Sequence, residues 1–104
     1  MRAPSHLSPA SRRWWASVVD SYELEEHHRL LLTAACQAWD HCQAARRVLA
    51  TDGMTYTDRF GQPRARPEVG IERDSRIGFM RALKELGLDI VPSGPIGRPP
   101  GGGY

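Results

Sequence analysis

The sequence predicts a mainly α fold: a small helical domain of three main helices, with a β-hairpin between the second and the third. Three observations lead there. Ser8-Pro9 opens a Trp-bearing apolar stretch as a helix start does, with Ser as N-cap and Pro at the first helical position. The run EEHHRLLLTAACQAWDHCQAARRVLATDG carries apolar residues at alternating steps of four and three. Between it and a final helical stretch lies MTYTDRFGQPRARP, which alternates like a strand, turns at DRFG, and returns.

Residues 1–7 show no pattern and are expected to form a loose leader. The first helix is predicted over about Pro9 to Ser21, with Trp14, Trp15, Val18, Val19 and Tyr22 on one broad apolar face that suits a partner helix. In the second helix Glu25 and Glu26 favour the N-terminus and Gly53 stops the C-terminus. His28, Leu32, Ala35, Trp39, Cys42, Arg46 and Leu49 form its helix-packing seam. About 25 residues at 1.5 Å each make a helix near 40 Å long, more than one small core needs. Leu30, Leu31, Ala34, Ala38 and Val48 lie off the seam, so a second face is expected to be buried, between subunits. Leu31, Ala35, Trp39, Leu49 and, from the third helix, Phe79 are the candidate interface residues.

Pro67 starts the third helix, PEVGIERDSRIGFMRALKELGL, with Gly87 at its end; Gly70 and Gly78 weaken it unless close packing needs them. The tail from Pro92 to Tyr104 is rich in Pro and Gly and is expected to be a flexible peptide or extended arm. The chain thus divides into a leader (1–7), a helical domain (8–91) and a tail (92–104).

Composition is that of an ordinary globular chain, with 40% hydrophobic and 25% charged residues among 104. Fourteen basic residues face 12 acidic ones, and a net charge of +2 does not by itself call for nucleic acid. Its distribution is more telling. Residues 58–84 hold seven basic residues against four acids, whereas residues 23–50 hold three against four. Cys36 and Cys42 are about 240° apart around a helix axis and cannot pair within it; two buried thiols suit a reducing compartment. No signal peptide and no apolar run of about 20 residues occurs, so a cytoplasmic protein without a membrane partner is expected.

The cluster His27, His28, Cys36, Asp40, His41 and Cys42 invites a metal site, but only Cys36 and Asp40 have the i, i+4 spacing that puts two ligands on one helix face. No four ligands converge, so no metal and no cofactor are expected. GxSxG, P-loop and GxGxxG motifs are lacking, and carboxylate pairs such as Glu72 and Asp74 look isolated. A metal-dependent nuclease using Asp40 and His41 is the weakest reading. What remains is the basic hairpin. Arg59 at its turn, with Arg64 and Arg66 on one face of the return strand, could reach phosphates, as could Arg73 and Arg76 on the helix that follows.

The run LSPASRRWWASVVDSYELEEHHRLLLTAACQAWD, followed by ARRVLATDGMTYTDRFGQPRARPEVGIERDSRIGFMRALKELGLD, resembles the small-subunit family of tailed-phage terminases and its prophage copies. The most specific parts are the SYEL segment, the DGxTYTDRFGQPRxRP hairpin and the xExxRDSRxxFxRxLxELGL helix, in that order. The resemblance implies a non-enzymatic packaging factor in the cytoplasm of a bacterial host: a homo-oligomeric ring that binds double-stranded viral DNA and recruits or regulates the terminase large subunit. In a ring a modest charge excess is repeated in every subunit. Many members of the family carry a separate N-terminal helix-turn-helix domain. Here about seven residues precede the first helix, so DNA contact is expected from the hairpin, its flanking helix or the termini, and large-subunit contact from the tail with Arg98 and Tyr104. The alternative is a helical protein–protein interaction module that makes no direct DNA contact.

Overall fold

A computed structural model of the chain describes residues 2–88. Three helices, α1 (Pro9–Ser21), α2 (Glu26–Asp52) and α3 (Pro67–Leu86), enclose one hairpin, β1 (Thr55–Thr57) with β2 (Pro63–Ala65), placed between α2 and α3. Among the described residues no helix is long and apolar enough to cross a membrane. The tail readings, Arg98 and Tyr104 included, lie outside the described residues.

Each helix ends where local chemistry ends it. Ser8 caps α1 by accepting the Ser11 backbone N–H, and Pro9 supplies a preset φ with no N–H to satisfy. At the start of α2 the Glu25 backbone N–H donates to Nδ1 of His28, three residues on, which satisfies one of the donors a helix start leaves unpaired. Past α3, Gly87 takes a left-handed conformation and Leu88 N–H returns to the Leu83 carbonyl.

Packing runs antiparallel twice. Trp15 Nε1 donates to Thr33 Oγ1 at 3.1 Å while Ser11 reaches Asp40, so α1 runs against the N-terminal half of α2. Trp39 stacks on Phe79 with centroids 5.0 Å apart, and Cys42 meets Glu72, so α3 descends along the whole of α2. The core is Leu7, Trp15, Val18, Leu32 and Cys36, flanked by Ala3, Trp14, Val19, Leu24, Leu86 and Leu88. It lies at one end of the molecule, where all three helices meet. Toward the other end Cys42 and Ala45 are buried between α2 and α3, and the hairpin crowns that two-helix stalk.

Leu7, just before the cap, is 2% exposed in the core, and its N–H returns to the Pro4 carbonyl. Its apolar side chain gains more from joining Trp15 than the short segment loses in freedom. The thiols of Cys36 and Cys42 are free and buried, and Cys36 is pushed up to about 11 by burial, with the Asp40 carboxylate adding to it. Gly70 and Gly78 sit in α3 without being needed by close packing, since a Cβ at Gly78 would meet nothing within 4 Å and one at Gly70 only Arg73 at 3.6 Å.

Candidate nucleic-acid interface

The hairpin is built from its turn outward. Asp58 N–H donates to the Gln62 carbonyl and Gly61 N–H to the Asp58 carbonyl, closing the loop Arg59-Phe60-Gly61, where Gly61 holds φ 78° without a Cβ penalty. The Asp58 carboxylate then fixes the loop from inside. It accepts the Phe60 N–H at 2.8 Å, the Gln62 N–H at 2.9 Å and Arg64 Nε at 2.9 Å. The backbone donor at Gln62 and the Arg64 guanidinium hold its carboxyl below the usual carboxylate range.

Pairing sets Tyr56 opposite Arg64, with Thr55 opposite Ala65 and Thr57 opposite Pro63. Arg66 N–H extends the ladder to the Met54 carbonyl. By alternation one face therefore carries Met54, Tyr56, Arg64 and Arg66, and the other the small, uncharged Thr55, Thr57, Pro63 and Ala65. Every residue of both strands is exposed.

The five sequence-predicted arginines fall into two groups. Arg64 is bound to Asp58, Arg73 to its neighbour Asp74 at 3.2 Å, and Arg76 to Glu72 at 3.1 Å. Among the described residues Arg59 and Arg66 have no carboxylate partner; Arg59 lies over the Phe60 ring at 4.9 Å and Arg66 over Tyr56 at 5.9 Å. Arg66 Nε is buried and makes no hydrogen bond. The structure thus brings Arg59, Arg64 and Arg66 together on one hairpin, and places Arg73 and Arg76 along α3, where acids partly neutralise them.

The interface candidates differ in exposure, and Ala35 is the most buried of them. It is 0% exposed inside the chain's own helix packing. Leu31, Leu49 and Phe79 are half-buried, and Trp39 keeps 40% exposure while stacking on Phe79. Two carboxylates take partners from other elements. Asp40, singled out for metal spacing, accepts Ser8 N–H, Ser8 Oγ and Ser11 Oγ at 2.8, 2.7 and 2.6 Å. Burial alone would raise its carboxyl, but the donors of Ser11 and Ser8, with nearby His41, outweigh that and lower it. Glu72, taken as isolated, faces Arg46 at 3.8 Å as well as Arg76, and accepts the Cys42 thiol at 3.6 Å. Arg76 is the first cause of its lowered carboxyl. The i, i+4 spacing of Glu72 and Arg76 was a signal for this pair; nothing local announced Asp40's partners. Among the described residues no three His, Cys, Asp or Glu gather as metal ligands.

A family model described as phage terminase, small subunit, matches residues 11–94. Comparison with curated proteins and with solved structures gives no match.

Proposed function

Because this chain belongs to the phage terminase small subunit family, which gives it a role in phage DNA packaging, we propose that it assembles from identical copies, holds duplex viral DNA through the hairpin, and recruits or regulates the large subunit without catalysing a reaction itself. One observation carries the DNA contact: a hairpin with both strands exposed presents Arg59 at its tip and a half-buried Arg66 at its base, neither in an ion pair among the described residues. Guanidinium groups of that kind bind phosphate by releasing counterions, which makes the binding salt-dependent.

Assembly draws its support from apolar residues left outside. Leu30, Trp39, Ile71, Ile77 and Met80 remain exposed on α2 and α3. Ile77 and Met80 stand one turn apart on α3 and Leu30 lies on α2, more apolar surface than isolated exposed side chains explain. A closed ring of identical subunits would cover such faces and would set the hairpins around one axis.

Light scattering on the purified chain, with and without duplex DNA at low and moderate salt, tests this reading. A discrete oligomer that takes up DNA at low salt and releases it as salt rises is the expected result. A species that ignores DNA at every salt concentration while still binding the large subunit would overturn the DNA contact and leave a protein–protein adaptor.

A further inference from the structure

Phe60 lies outside the core of the described residues. It is 71% exposed, the most exposed large apolar side chain among the described residues, and it stands at the end of the hairpin. A loop tip usually sheds such a residue, because exposed aromatic surface costs solvation and returns nothing to stability. Here the surrounding chemistry holds it out instead. Asp58 accepts the Phe60 backbone N–H, the Gln62 N–H and the Arg64 guanidinium, so the turn beneath the ring is pinned from three sides. Next to the ring, the Arg59 guanidinium lies 4.9 Å from its centroid, and among the described residues it makes no ion pair.

A hydrogen-bonded tip that couples an apolar ring to a guanidinium without an ion pair among the described residues has the makings of a nucleic-acid wedge. The cation would sit against phosphates while the ring slips between neighbouring base pairs and partly unstacks them. Arg66, at the hairpin base about 15 Å back along the strands, would hold a second phosphate. Resting on the DNA-contact reading above, we infer that Phe60 is a wedge residue: it inserts between base steps of duplex DNA from the minor groove and kinks the duplex at the hairpin tip. The kink is expected at flexible pyrimidine–purine steps, which unstack at least cost.

The test uses the full chain and an end-labelled duplex of about 30 base pairs with a central TA step, the kind of site that bends most readily. Anisotropy reads affinity and energy transfer between the DNA ends reads bending. Wild-type protein should bind and bring the ends together, by a kink in the range of about 20–90°. Phe60→Ala should hold affinity within about threefold at low salt, where phosphate contacts dominate, and lose the bend. Phe60→Leu, which keeps an apolar wedge, should restore most of it. Binding without bending by wild type, or undiminished bending by Phe60→Ala, would overturn the wedge and leave the DNA contact standing. Absence of binding by wild type would bring down both. A Phe60→Ala protein that bends DNA normally but shows a smaller assembled mass in light scattering would reassign the ring to a subunit contact.

Discussion

Asp40 and Asp58 are the same device used at opposite ends of the molecule. Each carboxylate accepts three hydrogen bonds, two of them on one oxygen, and each carboxyl is held below its ordinary value. The partners of Asp40 lie 29 and 32 residues away, on the first turn of α1 and its cap. Those of Asp58 lie within six residues. One carboxylate therefore locks tertiary structure and the other locks a shape. At the core end the lock is backed by Trp15, Val18, Leu32 and Cys36; at the hairpin end both strands are exposed. Because an isolated two-stranded hairpin is marginal in water, the Asp58 network is what gives the exposed hairpin a defined form before any partner arrives.

This contrast can be broken at several strengths. Trp15→Ala removes a buried indole together with its bond to Thr33 and should cost about 3–5 kcal/mol, measured as a fall in the urea midpoint. Asp40→Ala should cost about 2–3 kcal/mol, because three donors lose a charged acceptor at the α1–α2 contact. Amide exchange should then show α1 opening before the α2–α3 pair. The lowered Asp40 carboxyl fixes the pH behaviour as well. Its contribution is fully present above the unfolded value near 3.8 and is lost as pH falls through the lower folded value. Wild type and Asp40→Asn should accordingly converge in stability in strong acid, and a gap that persists there would detach the effect from ionisation.

On the hairpin side, stability should scarcely move while binding does. Replacing Arg59 and Arg66 together by Gln should lower the salt dependence of DNA binding by about two phosphate contacts, leaving the melting temperature in place. Arg73→Gln and Arg76→Gln, whose charges are already opposed by Asp74 and Glu72, should do less. Gly78→Ala has the smallest effect and the opposite sign. With open space where the methyl would go, it should stabilise α3 by about 0.5–1 kcal/mol. A loss of assembled mass in that variant would mark Gly78 as a point where subunits approach.

The helices and the hairpin were legible because their signals are local. Ser8-Pro9, Gly53, the strand alternation of MTYT and Gly87 sit where the chain turns, and the observed bounds Pro9–Ser21, Glu26–Asp52 and Pro67–Leu86 follow them. The candidate site was legible only as composition. That Arg64 is spent on Asp58 requires the hairpin register, and that Ala35 is internal requires knowing which helix covers which side of α2. Asp40 was the furthest out of reach. Its spacing from Cys36 suggested a ligand pair, while its actual partners, Ser8 and Ser11, become neighbours only once α1 is laid across α2. Local periodicity cannot report a contact that depends on the path of a loop.

The stalk above Asp40 has a mechanical consequence. From there α2 runs on to Asp52, about 18 Å of helix, and the hairpin adds up to about 15 Å, so its tip stands at most about 33 Å from the clamp. The pair α2–α3 is then a lever with its fulcrum at the three-helix end. A tilt of about 10° there would sweep the tip through up to about 6 Å, on the order of one to two base-pair rises of a duplex. Modest rearrangements around α1 are in this way geared up into displacements on the scale of the DNA step itself.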